Sequence, residues 1–465
     1  MFAPLTLLLS CSEEDTAPST SEPGDTVDET RPDGAGDWTD PGSSGDPATM
    51  PGLSFDGPRP TNVLMISIDT TRRESLGRFS GLDDSPVLDA LMQGGVVLED
   101  HRSCSNWTYA SVICAQSGSR DVELGFIPSM EEYAALLPDD VLLAAGRLAE
   151  RGYASALVTT NPFFSDNFDT ARGFDAVELY AGAPADEITP VALRLLEDVS
   201  ADGGPCYLHA HYFDPHAPYA PPGEYLDELD ALPPVPFDLD TDDGHNLTMR
   251  AWEGLSDEER ALLMEHLQVQ YRGEIRFVDS EIGRLLDEAE SLGLLEDTLV
   301  VFWTDHGEQL SEHGEVGHVK GLYEEENRST VAFVAPGLAP MTWSGRTAHE
   351  DLWSTILDTL GFTPGDDVTG HVLGARTPEM PRYGLRYTGG SSLQFVERDG
   401  AKLTYWWETE EMALHRTDDD PNEQMDLLSE EIEVTTSLRA LMAEELERIL
   451  AIHPAFALDL AEEGP

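Results

Sequence analysis

Basic residues are scarce in this chain of 465 residues: 27 lysines and arginines stand against 89 aspartates and glutamates, for a formal net charge of -62. A surface so acidic repels nucleic acid and anionic lipid headgroups, so a nucleic-acid binder is excluded. It suits a well-solvated protein outside the cytoplasm or in a salty medium. Only two of the basic residues are lysines, Lys320 and Lys402, so each marks a position to watch. Long apolar runs are missing as well. The run Leu5–Leu9 is far too short to cross a bilayer as a helix. Cysteine is limited to Cys11, Cys104, Cys114 and Cys206.

The chain opens on an apolar stretch ending Leu8-Leu9-Ser10-Cys11, which resembles a bacterial lipobox. On that reading residues 1–11 are a lipoprotein-type signal and Cys11 carries the lipid. The protein is then exported and anchored to a membrane in the periplasm or at the cell surface. The other reading is a ragged apolar N-terminus without a role. Residues 12–58 are Ser, Thr, Pro, Gly, Asp and Glu with few large apolar side chains. Such a stretch cannot bury enough surface to offset its ordering entropy, so it reads as a disordered acidic tether. With Cys11 assigned to lipid, Cys104, Cys114 and Cys206 remain. Buried free thiols are the favoured reading, and a Cys104–Cys114 disulfide is the alternative.

From residue 59 the texture changes. Apolar runs at Val63–Asp69, Ala154–Thr160, Cys206–Phe213 and Leu299–Thr304 predict strands. Amphipathic stretches at Pro86–Met92, Leu142–Arg151, Pro190–Val199, Glu258–Ala289 and Leu352–Leu360 predict helices between them. This alternation implies a three-layer α/β/α sandwich with a mostly parallel central sheet, over residues 59–379. Residues 222–248 read as an irregular insertion. The run Asp238–Asp243 within it lacks the glycine and final glutamate of a calcium loop and reads as a solvated acidic loop. Residues 380–465 predict a small antiparallel sheet with a closing helix near Ser437–Ala451.

Three apolar runs lead into aspartates: Asp69, Asp214 and Asp305. Ligands of open parallel sheets bind outside the carboxyl ends of the strands. One such aspartate alone reads as a helix cap or turn residue. Three together, two of them followed closely by His216 and His306, point to a metal site on one rim. A second segment runs Cys104-Ser105-Asn106-Trp107-Thr108-Tyr109-Ala110-Ser111, between a strand-like run and a helix. A hydroxyl at a helix N-terminus is placed to attack an anionic ester. From these residues alone, Thr108 reads more readily as an ordinary N-cap. The third segment gathers His306, His313, His318 and Lys320 after one strand end, the groups expected around a sulfate or phosphate.

These segments together resemble the sulfatase family of the alkaline phosphatase superfamily, from about residue 61 to 430. Ile68-Asp69-Thr70-Thr71-Arg72 is similar to the family's opening strand and first metal ligand. Trp107-Thr108-Tyr109-Ala110-Ser111 is similar to its nucleophile segment, and His211–Tyr219 to its substrate-contacting histidine segment. Thr304-Asp305-His306-Gly307-Glu308 is similar to the second metal-binding turn, and Lys402–Leu428 to the C-terminal sheet. The resemblance implies one divalent metal ion held by Asp69, Asp305, His306 and Thr108, with calcium, manganese, magnesium and zinc all open. It implies Thr108 as nucleophile. It also implies contacts from His216, His318 and Lys320 to the sulfate or phosphate, with Arg72 assisting. His209, His211 and His313 read as supporting residues. The family's nucleophile segment is Cys-x-Pro-x-Arg (or its Ser form), whose first residue is oxidised to formylglycine. Here Thr108, Ala110 and Val112 take those places, and Thr70 stands where the family often has a second Asp ligand. A threonine cannot become that aldehyde, so no formylglycine is expected. The implied activity is hydrolysis of sulfate or phosphate esters by a metal-activated threonine. The alternatives are an envelope phosphoryl-group transferase and an inactive anchored binding protein.

Overall fold

A computed structural model describes residues 52–128, 137–241, 244, 249–318, 321–387 and 392–452. Cys11, nearly all of the tether and Lys320 lie outside the described residues. Strands β1 (Asn62–Ile68), β2 (Val96–Arg102), β3 (Ala154–Thr159), β4 (Ala176–Leu179), β5 (Cys206–Tyr212), β6 (Thr298–Thr304), β9 (Val331–Val334) and β10 (Met341–Ala348) form the main sheet. The short pair β7 (Gln309–Leu310) and β8 (Val316–Gly317) stands apart from it. The eight strands lie in the order β10-β2-β9-β6-β1-β5-β3-β4. All pair in parallel except β9, which is antiparallel to both β2 and β6. The expected α/β sandwich is therefore observed.

Its core explains why β1 is so apolar. Leu64, Ile66 and Ile68 face one layer, which holds the helices Pro86–Gln93, Ala185–Ser200 and Asp257–Ser291. Val63 and Met65 face the other, where the helices Thr108–Ser117 and Glu350–Thr359 pack. A strand covered on both faces is apolar along nearly its whole length, and successive side chains alternate between layers. Each fully buried Leu, Ile or Val contributes about 1.5–3 kcal/mol.

Most expected elements are present with ends shifted by a few residues. The helix expected from Pro190 begins at Ala185, with Pro190 inside it. Proline is a strong first-turn signal, which drew the expected start too late. The long helix Asp257–Ser291 opens on a capping box, Ser256 with Glu259, and Gly293 follows it at φ 75°. Strands β4, β9 and β10 were not anticipated. The first two are only four residues long, and β10 shifts register between Trp343 and Arg346, which breaks its alternation. In the insertion, Asp240 accepts a hydrogen bond from buried Gln270, so that acidic loop is tied to the long helix at one point.

Strands β11 (Arg382–Arg386), β12 (Leu393–Arg398), β13 (Ala401–Trp406) and β14 (Glu411–Arg416) form a second, antiparallel sheet. Leu438 and Met442 of the helix Ile432–Ile452 cover it. A buried ionic cluster ties this sheet to the main one. Lys402 Nζ lies 3.4 Å from Glu324 Oε1 and 3.2 Å from Glu423 Oε2, and Arg102 Nε donates to Glu324 at 2.9 Å. Cys104 and Cys114 are joined as a disulfide and, among the described residues, Cys206 is the only free cysteine, which corrects the expectation of thiols at Cys104 and Cys114. Among the described residues no helix is long and apolar enough to cross a membrane.

Candidate active site

The central strands β1 and β6 pair with Ile68 opposite Thr304. The next residue on each is an aspartate, so Asp69 and Asp305 leave the sheet side by side. Asp69, Asp305 and His306 offer ligand atoms within 4.8 Å of one another, all buried. The turn is held from several directions. Thr70 N donates to Asp305 Oδ1 at 3.1 Å, and His306 N donates to the same oxygen at 2.7 Å. Tyr271 Oη donates to Thr70 O at 2.8 Å. Thr70 adopts φ 43°, an uncommon backbone for a β-branched residue and a form of strain that clusters at functional sites.

Asp214 does not join them. On β5, Tyr212 pairs with Ile68, so the residue level with Asp69 is Phe213. Asp214 lies one position further, and a one-residue offset turns a side chain to the opposite face. Its carboxyl lies beside that of Glu274 in the long helix instead. Two strand-end aspartates converge, not three.

Thr108 is the first residue of the helix Thr108–Ser117, and Trp107 occupies the cap without a side-chain cap bond. The ordinary N-cap reading of Thr108 therefore fails. Its Oγ1 lies 3.4 Å from His306 Nε2 and accepts from Asn161 Nδ2 at 3.1 Å. All ten residues of this helix are buried, and Ser111 Oγ anchors it by donating to Asp305 O at 2.8 Å. His306 Nδ1 sits 2.9 Å from Gly307 O. The proton belongs on that nitrogen, which leaves the Nε2 lone pair facing the carboxylates and Thr108.

Three imidazoles stand in a row, with ring centroids of His306 and His318 4.7 Å apart and those of His318 and His216 5.3 Å apart. His216 Nδ1 bonds Ala217 O at 2.7 Å, and its ring stacks on Phe213. The main chain holds His318 in place: its carbonyl accepts from Asn106 Nδ2 and an Arg386 guanidinium N–H, both at 3.1 Å. Arg72 is engaged elsewhere, in a partly buried ion pair with Glu312. His313 stacks on Tyr323 and faces Glu325 at 3.1 Å. His209 and His211 share the Ser67 hydroxyl, at 2.8 and 2.7 Å. His211 Nε2 also comes within 3.4 Å of Asp69 Oδ2, closer to the site than its sequence position suggested. Asn161 was missed altogether. Its Nδ2 donates to Asp69 Oδ2 at 2.5 Å, but Thr160-Asn161-Pro162 reads locally as a plain strand exit.

The electrostatics divide the two aspartates. Burial pushes Asp69 up, but the hydrogen bond from His211 and the charges of His216 and His306 outweigh it and hold Asp69 well below the carboxylate range. Burial and neighbouring Asp69 push Asp305 well above it. Burial lowers His306, and it lowers His318 further, with His306 and His216 adding to the effect. Two buried acids side by side therefore cannot both ionise unaided. Asp69 Oδ1 and Asp305 Oδ2 are buried without a hydrogen-bond partner. Two unpaired carboxylate oxygens beside an available imidazole lone pair are the donors a divalent cation takes, so the residues present fit such an ion.

The sulfatase family model matches residues 61–362. A low-salt glycan biosynthesis sulfotransferase of Haloferax volcanii is 31% identical over 229 residues, 48% of this chain and 50% of the relative. Human iduronate 2-sulfatase is 27% identical over 313 residues, 55% of this chain and 56% of the relative. The aligned stretches thus span about half the length of these curated relatives. Among solved structures, a protein in complex with its substrate D-glucosamine-2-N,6-O-disulfate superposes with a TM-score of 0.67 at 19% identity, over 84% of this chain and 98% of that one. A phosphonate monoester hydrolase from Silicibacter pomeroyi superposes with a TM-score of 0.66 at 19% identity, over 84% of this chain and 95% of that one. At these identities the structural likeness speaks for the fold alone. The residues matched by the family model cover all eight strands of the main sheet and both converging aspartates, and the chain belongs to the sulfatase family.

Proposed function

We propose that the protein is a metal-dependent hydrolase of sulfate or phosphate esters that uses Thr108 as its nucleophile. The observation that carries this reading is the meeting of two unpaired buried carboxylate oxygens, the His306 lone pair and the Thr108 hydroxyl at one point. Asp69, Asp305, His306 and Thr108 would hold the ion. A bound divalent cation lowers the pKa of a coordinated hydroxyl and offsets the charge of the ester. Thr108 Oγ1 attacks sulfur or phosphorus from the helix N-terminus, where free amides favour an anion. His318 contacts the ester's outer oxygens. His216, with Nδ1 committed to Ala217 O, exchanges a proton with the leaving oxygen through Nε2. Lys320, outside the described residues, is assigned to the ester group by the family resemblance alone. With Cys104 and Cys114 bonded to each other, neither offers a free thiol, and on this reading a threonine needs no conversion to formylglycine.

The sulfotransferase relative favours a second reading, in which an acceptor other than water takes the group from Thr108. The resemblance of Leu8-Leu9-Ser10-Cys11 to a lipobox supports the further proposal of export and membrane anchoring, and loss of lipid labelling in Cys11→Ser would check it.

The test is turnover of matched aryl sulfate, phosphate monoester, phosphate diester and phosphonate substrates by metal-loaded protein, with Thr108→Ala beside it. Hydrolysis that disappears in the variant supports the reading, and the preferred ester names the reaction. Formation of a transfer product in place of free sulfate or phosphate would select the transferase. Full metal occupancy without turnover on any substrate or acceptor would leave the binding protein.

A further inference from the structure

We infer that Asn161 is a catalytic residue that donates a hydrogen bond to the nucleophile oxygen in both halves of the reaction; the inference rests on Thr108 being the nucleophile. Asn161 stands two residues beyond the last residue of β3 and is buried to 3% exposure. The chain itself fixes which way its amide points. Oδ1 accepts from Phe163 N at 2.9 Å, so the amino group is turned to the opposite side. The backbone is pinned too, since Asn161 N donates to Thr159 Oγ1 at 3.2 Å. Nδ2 then lies 2.5 Å from Asp69 Oδ2 and 3.1 Å from Thr108 Oγ1. An amide nitrogen carries two hydrogens and no available lone pair, so it supplies one hydrogen to each oxygen and accepts from neither.

This restricts what Asn161 can do. It cannot take the Thr108 proton as a base. It can only stabilise negative charge on Oγ1. In the first half-reaction the bond from Oγ1 to sulfur or phosphorus forms, and the bond to the leaving oxygen breaks with its electron pair. The Thr108 proton ends, in net, on that leaving oxygen. In the second half, water adds to the same centre and the Oγ1 bond breaks. The electron pair returns to Oγ1 and one proton of the water ends there. Oγ1 carries charge at the start of one half and at the end of the other, with the same N–H facing it each time. In a buried site a preoriented donor of this kind is worth on the order of 10²–10³ in kcat.

Because Asn161 also touches Asp69, a supporting role must be separated from a catalytic one. Asn161→Ala removes both hydrogen bonds. Asn161→Asp keeps the shape and the acceptor for Phe163 N, but turns an oxygen toward Thr108. At saturating metal, with metal content measured, we expect kcat to fall on the order of 10²–10³-fold in Asn161→Ala and at least as far in Asn161→Asp. KM should stay within about threefold, so that the loss falls on kcat. Turnover of Asn161→Asp within about fivefold of the parent overturns the inference. So does a loss in Asn161→Ala that excess metal fully restores, which would leave Asn161 as a support for Asp69 only. If Asn161→Ala fails to fold, the near-isosteric Asn161→Asp decides alone. Turnover that survives Thr108→Ala is a separate result, and it fails the nucleophile reading itself.

Discussion

At the junction of the two sheets, Glu324 and Glu423 are buried around Lys402, and Arg102 closes on Glu324. At the ends of β1 and β6, Asp69 and Asp305 are buried just as deeply. Among the described residues no lysine or arginine pairs with either. The chain supplies its own cations at the junction, where charge serves to join two layers. At the strand ends it supplies imidazoles, His211 beside Asp69 and His306 beside Asp305. Burial of an unpaired charge costs several kcal/mol. A site that keeps this cost in place is prepared for something from outside to balance it. A third pair, Asp214 with Glu274, follows neither pattern: among the described residues no lysine or arginine pairs with it, and burial with the nearness of the two acids holds a proton there.

Substitutions at these three places sharpen the contrast. Asp305→Ala should have the largest effect, with loss of bound metal by elemental analysis and a fall in turnover of roughly 10³-fold or more. Asp214→Asn should keep the metal and stay within about tenfold in turnover, given that one divalent cation supplies the activation. Equal metal loss in both would break the distinction between converging and diverging aspartates. Lys402→Met comes next. It leaves two buried carboxylates without their lysine and should cost about 3–5 kcal/mol in urea unfolding, with metal binding retained at saturation. A cost below about 1 kcal/mol would mean the junction is not held by charge.

Glu274→Gln should act more weakly, and with a definite pH dependence. Burial pushes Asp214 up to about 6, and burial with Asp214 pushes Glu274 well above the usual range. The folded protein therefore holds more protons on this pair than the unfolded chain does. Their stabilising contribution is full below the ordinary carboxylate range and is lost as pH rises through 6. Removing one of the two acids should stabilise the protein by about 1–3 kcal/mol at pH 8 and change little at pH 4. Melting curves across that range check it, and an equal gain at both ends would contradict the shared proton. The smallest effect belongs to an exposed pair. Arg194 lies by Glu178 with its side chain 49% exposed, so Arg194→Ala should cost at most about 1 kcal/mol.

Asp69 and Asp305 were legible in the sequence because each ends a continuous apolar run, and a parallel core strand is bound to look that way. Asp214 carried nearly the same local pattern. Only the pairing register, which sets it one residue past Phe213, separates it from the other two. Thr108 was legible through the resemblance of its segment, whereas its residues alone suggested a cap. Asn161 gave no sign, since its meaning lies in a contact with Asp69, 92 positions away. The short strands β4 and β9 are defined by their neighbours in the sheet rather than by their own residues. The resemblance also reached Lys320, which lies outside the described residues.

The placement of β1 has a consequence for biosynthesis. Its two partners are residues 206–212 and 298–304, so the strand leading to Asp69 has no neighbour until much later chain has been made. Asp305 leaves the ribosome 236 residues after Asp69. A growing chain therefore offers a passing ion one isolated carboxylate at a time. On the proposed reading, the choice of metal would fall to the finished protein, in whichever compartment the last strand finds its place.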